Sequence, residues 1–156
     1  MMAKSLHPEV PGQTYSSVVL SSPVEILGLK ELVTRVSHVN DIFFDPEFFL
    51  SSVSLGWRPT VVVVYKQADV AGIIYAKEKS VLGFGLGVIY ADLSWGALLF
   101  GEEVQREETF RTALKTLLTW RRIRGIRLRI LPGSPESAAV RKVIASRDLP
   151  THLESG

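Results

Sequence analysis

Apolar residues change their spacing along the chain, and each spacing predicts a different element. Four consecutive valines, Val61–Val64, and the apolar stretch Val70–Ala76 have no polar face, which is typical of strands buried on both sides. The polar residues Lys66–Asp69 between them predict the turn of an antiparallel hairpin. Other predicted strands are Val18–Leu20, a segment within Phe84–Asp92 and Ile126–Leu131, while Leu98–Phe100 is either an edge strand or the lead into a helix.

Two segments before the hairpin carry helix-start signals. Ser22-Pro23-Val24-Glu25 combines a capping box with a proline at the first helical position. Apolar residues then recur every three or four positions, which predicts a helix over about 22–39 with a stripe of Ile26, Leu29, Val33 and Val36. Asp45-Pro46-Glu47 predicts the start of a second, shorter helix.

The second half of the chain predicts a long helix over 102–124. Glutamates crowd its first turn and arginines its last, and both placements complement the helix dipole. Gly125 is the predicted helix terminator, and a final helix is predicted over Pro135–Arg147. The apolar face of the long helix consists of Phe110, Ala113, Leu114, Leu117 and Leu118.

This order of elements predicts one α/β domain of the mixed (α+β) type, with a mostly antiparallel sheet flanked by helices. The domain is expected to span residues 18–147. The polar, proline-containing residues 1–17 are interpreted as a mobile leader and residues 148–156 as a polar tail.

Composition narrows the class of protein. Of the 156 residues, 46% are hydrophobic and none is cysteine, which excludes intrinsic disorder, disulfide scaffolds and thiol nucleophiles and fits the cytoplasm. The apolar run Val81–Gly101 has the length of a membrane span. Because Asp92 and five glycines interrupt it, buried strands joined by a turn are predicted instead of a span.

The net charge of +2 conceals a basic cluster in the second half of the chain. The cluster either covers a helix end and one strand face, or binds an anionic ligand. Nucleic acid is not the expected partner, because only Trp120 adds an aromatic ring for stacking. The cluster is formed by Arg121, Arg122, Arg124, Arg127 and Arg129.

The candidate catalytic residues lie at the end of the strand predicted within Phe84–Asp92. Tyr90 and Asp92 there could act as acid and base if burial shifts their pKa values, although Asp92 also suits an ordinary turn. The glycines of Gly83–Gly87 precede a predicted strand instead of a helix, so close packing or a bulge is favoured over phosphate binding. The scattered histidines provide no metal-ligand spacing, so no metal is expected.

Several short motifs together resemble the FemAB-like and CelD-like acyltransferases of the GNAT superfamily. They are Asp45–Phe49, Arg58-Pro59 before Val61–Tyr65, Val70–Ile73, Tyr90–Asp92 and Pro132–Ser134, in that order around the predicted helix 102–124. The resemblance covers residues 20–147. It implies a GNAT-like fold and transfer of an acyl group from a thioester or a charged carrier to an amine.

One departure from the GNAT pattern concerns the donor. GNAT enzymes hold the pyrophosphate of coenzyme A at a glycine-containing helix start, whereas Phe100-Gly101-Glu102-Glu103 places two carboxylates there. Coenzyme A is therefore not expected at this position, although acyl-CoA or another acyl carrier remains the implied donor. The chain is interpreted as an acyltransferase unit that is incomplete as a catalyst, with a second copy or a second GNAT-like unit as partner. The alternatives are a non-catalytic interaction or dimerisation module and, more weakly, binding of an anion through Arg121–Arg129.

Overall fold

Eleven helices and strands make up the part of the chain that the computed structural model describes, residues 14–36, 44–80, 89–93, 97–120, 123–128 and 135–146. In chain order they are β1 (Tyr15–Leu20), α1 (Pro23–Leu27), α2 (Lys30–Val36), α3 (Pro46–Ser51), β2 (Arg58–Lys66), β3 (Asp69–Ser80), β4 (Ile89–Leu93), β5 (Ala97–Leu99), α4 (Glu103–Trp120), β6 (Ile123–Leu128) and α5 (Pro135–Ala145).

The strands form one mixed sheet in the order β1-β2-β3-β4-β6, with β5 paired to β3 beyond the end of β4. All pairs are antiparallel except β4 and β6, which are parallel because α4 crosses over between them. The predicted class is confirmed: the chain is α/β, with a mostly antiparallel sheet flanked by helices.

The hairpin of β2 and β3 is buried on both faces. Val62 and Val64 pack against α4 and α5, whereas Val61 and Val63 pack against α1, α2 and α3. All four valines are at most 1% exposed. The four-valine run therefore marks the centre of the sheet, as its lack of a polar face predicts.

Helix α4 lies on one face of this hairpin along the predicted apolar stripe. Phe110, Ala113, Leu114 and Leu117 are buried, and Leu118 packs against the same cluster. Gly72 of β3 permits the close approach, since a Cβ atom there would lie 2.6 Å from Thr109 Cγ2 and 2.7 Å from the Leu98 carbonyl oxygen.

The opposite face carries two short helices where one helix over 22–39 was predicted. The predicted capping box is present: Ser22 Oγ accepts from the Glu25 amide, and Glu25 Oε2 accepts from the Ser22 amide. The helix stops at Leu27, because the Leu29 amide donates to the Ile26 carbonyl in a tightened turn. Residues of the predicted apolar stripe nevertheless face the core, since Ile26, Leu29 and Val33 are all buried. The second predicted start is also confirmed, with Asp45 Oδ1 accepting from the Glu47 amide of α3.

The boundary between α4 and β6 differs from the prediction. The helix ends at Trp120, and Gly125 lies inside β6 instead of terminating the helix. Ile123 is 4% exposed and pairs with Ile89 of β4, so strand pairing and burial begin before the glycine. Helix propensity alone would have continued the helix through this segment.

Three further boundaries follow from strand pairing. Tyr15–Ser17, which the sequence assigned to the leader, belong to β1. β3 continues four residues beyond its predicted end at Ala76. The described parts of Val81–Gly101 include β4 and β5, and none of the described helices is long and apolar enough to cross a membrane. The glycines of Gly83–Gly87 and residue Trp95 lie outside the described residues.

Substitution of Gly72 tests the close packing of α4 on β3. Gly72→Ala should lower the free energy of unfolding by roughly 1–3 kcal/mol, because the added methyl group meets a backbone oxygen that cannot move freely. Gly28→Ala is the matched control: its φ of −61° is helical, and its nearest contact is 3.2 Å. Urea denaturation should show a change within about 1 kcal/mol for the control. Equal losses would contradict the packing argument.

An ion pair between α4 and α5 makes a separate prediction. Lys142 Nζ lies 2.8 Å from Glu103 Oε1, and this hydrogen bond lowers the pKa of Glu103 and raises the pKa of Lys142. The pair therefore contributes stability above the ordinary pKa of a glutamate and loses it as pH falls through the lowered value. NMR titration should give Glu103 a lower pKa in the original chain than in the Lys142→Met variant. An unchanged pKa in that variant would contradict the pairing.

Candidate functional site

Tyr90 and Asp92, the two residues predicted to carry the chemistry, lie on β4 between β3 and β6. Tyr90 is opposite Lys79 of β3 and Gly125 of β6, and Asp92 is opposite Lys77 and Arg127. The sheet thus places the aspartate between two cationic residues in backbone register.

The two lysines of β3 are held on the same face of the sheet as α3. Lys77 Nζ donates to the Ser52 carbonyl oxygen at 3.1 Å, and Lys79 Nζ lies 5.4 Å from the centre of the Trp57 ring. Arg127 on the other side of β4 is exposed. These contacts fix the β3 cations at the end of the hairpin, where they raise the local positive potential.

Among the described residues, the sheet parts after Leu93. Pairing between β4 and β6 ends at Leu93 and Leu128, whereas β5 continues along β3 alone. Lys77 pairs with Asp92 and Ile74 pairs with Ala97, so the register along β3 differs between β4 and β5.

The start of α4 lies at the end of β5 and is closed by its own side chains. The Glu102 amide donates to Gln105 Oε1 at 3.0 Å, and Arg106 Nη1 donates to the Gly101 carbonyl oxygen at 2.8 Å. Gly101 has a φ of +87°, and a Cβ atom there would lie 2.1 Å from Gln105 Oε1. The amide of Glu102, the residue before the helix, is therefore occupied.

Sequence reasoning expected the glutamates to block this helix start, but the blocking contact comes from Gln105. A glutamine at the third position of a helix is a known sequence signal for helix capping. Its side chain can accept a hydrogen bond from the amide of the residue before the helix. Glu103 instead faces α5, where it meets Lys142.

A cavity of about 320 Å³ lies on the other side of the α4 start. Tyr15 of β1, the β2–β3 turn and the first turns of α4 line it, with Lys66 and Asp69 at the turn. The Tyr15 hydroxyl is buried without a hydrogen-bond partner among the described residues, and burial, followed by the Glu108 carboxylate, raises the Tyr15 pKa. The cavity does not include β4, so it is separate from the predicted site.

The basic cluster is only partly described. Arg127 is exposed on β6, and Arg124 belongs to the same strand in its backbone. Arg121, Arg122 and Arg129 lie outside the described residues. Within the described ranges, no group of three or more acidic or histidine side chains is arranged to hold a metal ion.

Sequence reasoning missed Glu78, which is buried at 3% exposure between Lys77 and Lys79 of β3. It is paired with Ala91 of β4 and shares the α4–α5 face with Thr60 by strand alternation. The segment Lys77-Glu78-Lys79 resembles a solvated turn in composition. Only the continuation of the alternating pattern beyond Ala76 could have revealed that the glutamate faces inward.

Comparison with known proteins gives a limited result. No protein-family model matches the chain, and no curated protein does. Among solved structures, the chain is similar to a ribosomal-protein-alanine N-acetyltransferase from Brucella melitensis biovar Abortus 2308, with a TM-score of 0.49 and 8% sequence identity. The match covers 92% of this chain and 99% of that one. The fold class stated above rests on the strand order and pairing of the chain itself.

The occupied helix start makes a prediction about local stability. Gln105→Ala should remove the acceptor of the Glu102 amide and lower the free energy of unfolding by about 0.5–1 kcal/mol. Amide hydrogen exchange at Glu102 should become faster, because the amide is then open to water. Lys115→Ala, an exposed change on the same helix, is the control. An unchanged exchange rate at Glu102 in Gln105→Ala would contradict the capping contact.

Proposed function

We propose that this chain is a GNAT-like acyltransferase unit that transfers an acyl group from a thioester or a charged carrier to an amine, with its reaction centre on β4. The supporting observation is the position of Tyr90 and Asp92 on the strand that precedes the parting of the sheet. Among the described residues, β6 pairs with β4 up to Leu128, whereas β5 pairs with β3. In this proposal an extended donor lies between β5 and β6.

In this proposal the aspartate is the base and the tyrosine is the acid. The amine nitrogen attacks the acyl carbon, the new C–N bond forms, and the C–S bond of the thioester breaks. Asp92 takes the proton that the amine nitrogen loses, and Tyr90 donates a proton to the leaving thiolate.

The donor in this proposal is recognised without the start of α4. Gln105 already occupies the Glu102 amide, which a pyrophosphate at this helix start would otherwise be able to use. The part of the donor nearest to the reacting thioester therefore provides the affinity. A carrier arm that lacks the nucleotide should bind about as tightly as the complete coenzyme.

Calorimetric titration with acetyl-CoA and with S-acetylpantetheine tests this point. We expect dissociation constants within about threefold of each other, since the nucleotide adds little binding energy. Gln105→Ala should shift the ratio in favour of acetyl-CoA by freeing the Glu102 amide. A preference of more than tenfold for acetyl-CoA in the original chain would contradict the assigned donor site. Failure of both thioesters to bind would contradict thioester-dependent transfer.

Substitutions on β4 test the reaction itself. With a thioester donor and a panel of primary amines, Asp92→Asn and Tyr90→Phe should each lower kcat by about 10²–10⁴-fold while thioester affinity stays the same. Lys66→Ala at the distant β2–β3 turn is the matched control and should keep full activity. If either β4 variant retained full kcat in a chain that turns over, its residue would have no role in proton transfer.

The second candidate function is a non-catalytic interaction module with the same fold. It is favoured by the filled helix start, which removes an anion-binding device. It predicts a folded chain that binds neither thioester.

A further inference from the structure

Strand β1 is the outer strand of the sheet and pairs with β2 alone among the described strands. The Gln67 amide donates to the Thr14 carbonyl oxygen at 3.0 Å. In the register of β1 and β2, this bond makes the even-numbered residues of β1 the ones whose amides and carbonyls face β2. Since alternate residues of an antiparallel strand bond to opposite sides, the amides and carbonyls of Tyr15, Ser17 and Val19 point away from β2. Three residues thus present unused donors and acceptors in a row.

This edge lacks the features that normally prevent strand addition. Tyr15–Leu20 contains no charged residue and no proline, and its register against β2 is regular from end to end. Val18 is 48% exposed on the face opposite α4, beside the exposed Ser16. At the other edge of the sheet, β6 carries Arg124 and Arg127. The two edges therefore differ in how easily another strand can pair with them.

Helix α4 lies beside β1 and runs in about the same direction. Tyr15 and Gly101 line the same cavity at one end, and Ser17 Oγ lies 2.7 Å from Thr116 Oγ1 further along. The first half of α4 carries three acidic residues, Glu103, Glu107 and Glu108, and two basic ones, Arg106 and Arg111, and is net negative. The second half carries Lys115 and is net positive. A two-fold axis beside β1 would align two copies of α4 antiparallel, with acidic halves toward basic halves.

We propose that β1 is the docking edge for a second copy of this chain, which pairs its own β1 antiparallel about a two-fold axis at Val18. This register places each Val18 against its counterpart and pairs Ser17 with Val19, so the outward groups of odd-numbered residues bond to each other. The two exposed valines cover one another, and the uncharged strand meets no like charge. The two sheets become one continuous sheet.

Opposite charges at position 18 test the axis directly. Sedimentation across a concentration series should show a dimer for the original chain, with Val18→Thr as the control that keeps a neutral β-branched residue. Val18→Lys and Val18→Glu should each weaken the dimer by more than about tenfold, because like charges then face each other. A mixture of the two variants should restore dimers. A chain that stays monomeric at high concentration, or a dimer unaffected by Val18→Lys, would overturn the proposal.

A single introduced cysteine gives a measurement that does not depend on charge. The chain has no cysteine, so a disulfide in Val18→Cys can form only between copies. Facing residues of a non-hydrogen-bonded antiparallel pair have Cα atoms about 4.5 Å apart, within disulfide range. Rapid oxidation is expected for Val18→Cys, and slow oxidation for the control Lys115→Cys on α4. The dimer should also persist after deletion of residues 1–13. Loss of the dimer on that deletion would show that the preceding segment, and not the β1 edge, makes the contact.

Discussion

Burial of the β2–β3 hairpin on both faces is the constraint on which the rest of the structure depends. Four consecutive valines can be removed from water only if helices cover both sides of the sheet. Helices α4 and α5 cover one side, and α1, α2 and α3 cover the other. Tyr75 shows how closely the second layer is connected, since its ring packs on Phe49 and its hydroxyl donates to the Phe44 carbonyl oxygen.

The position of the candidate site follows from this central hairpin. β3 is longer than the strands beside it and pairs with β4 near one end and β5 near the other. Helix α4 returns the chain so that β6 pairs parallel to β4, and among the described residues β5 pairs with β3 instead. Tyr90 and Asp92 lie on β4, the strand between β3 and β6. The same hairpin therefore shapes the core and sets the position of these two residues.

The start of α4 is capped by a side chain of the same helix. Gly101 adopts a positive φ, which glycine tolerates, and this conformation brings Gln105 onto the Glu102 amide. The cap stabilises the start of α4, which packs on the hairpin together with α5.

The sequence was most informative where a residue pattern has one physical explanation. The valine run, the capping box at Ser22 and the stripe of α4 were each predicted from spacing and are confirmed. The break after Leu27, the start of β6 before Gly125 and the inward position of Glu78 depend on contacts between distant segments, which local propensity cannot reveal. The register partners of Asp92 were equally hidden, because Lys77 and Arg127 lie opposite it only as a result of strand pairing.

The central claim is that the donor binds where the sheet parts and not at the start of α4. Backbone amide chemical shifts of the ¹⁵N-labelled chain, followed during titration with acetyl-CoA, test it most directly. The account predicts the largest shift changes at Ala91–Leu93 and at Leu128, with little change at Gly101–Gln105. The largest changes at Gly101–Gln105, with β4 unaffected, would contradict it.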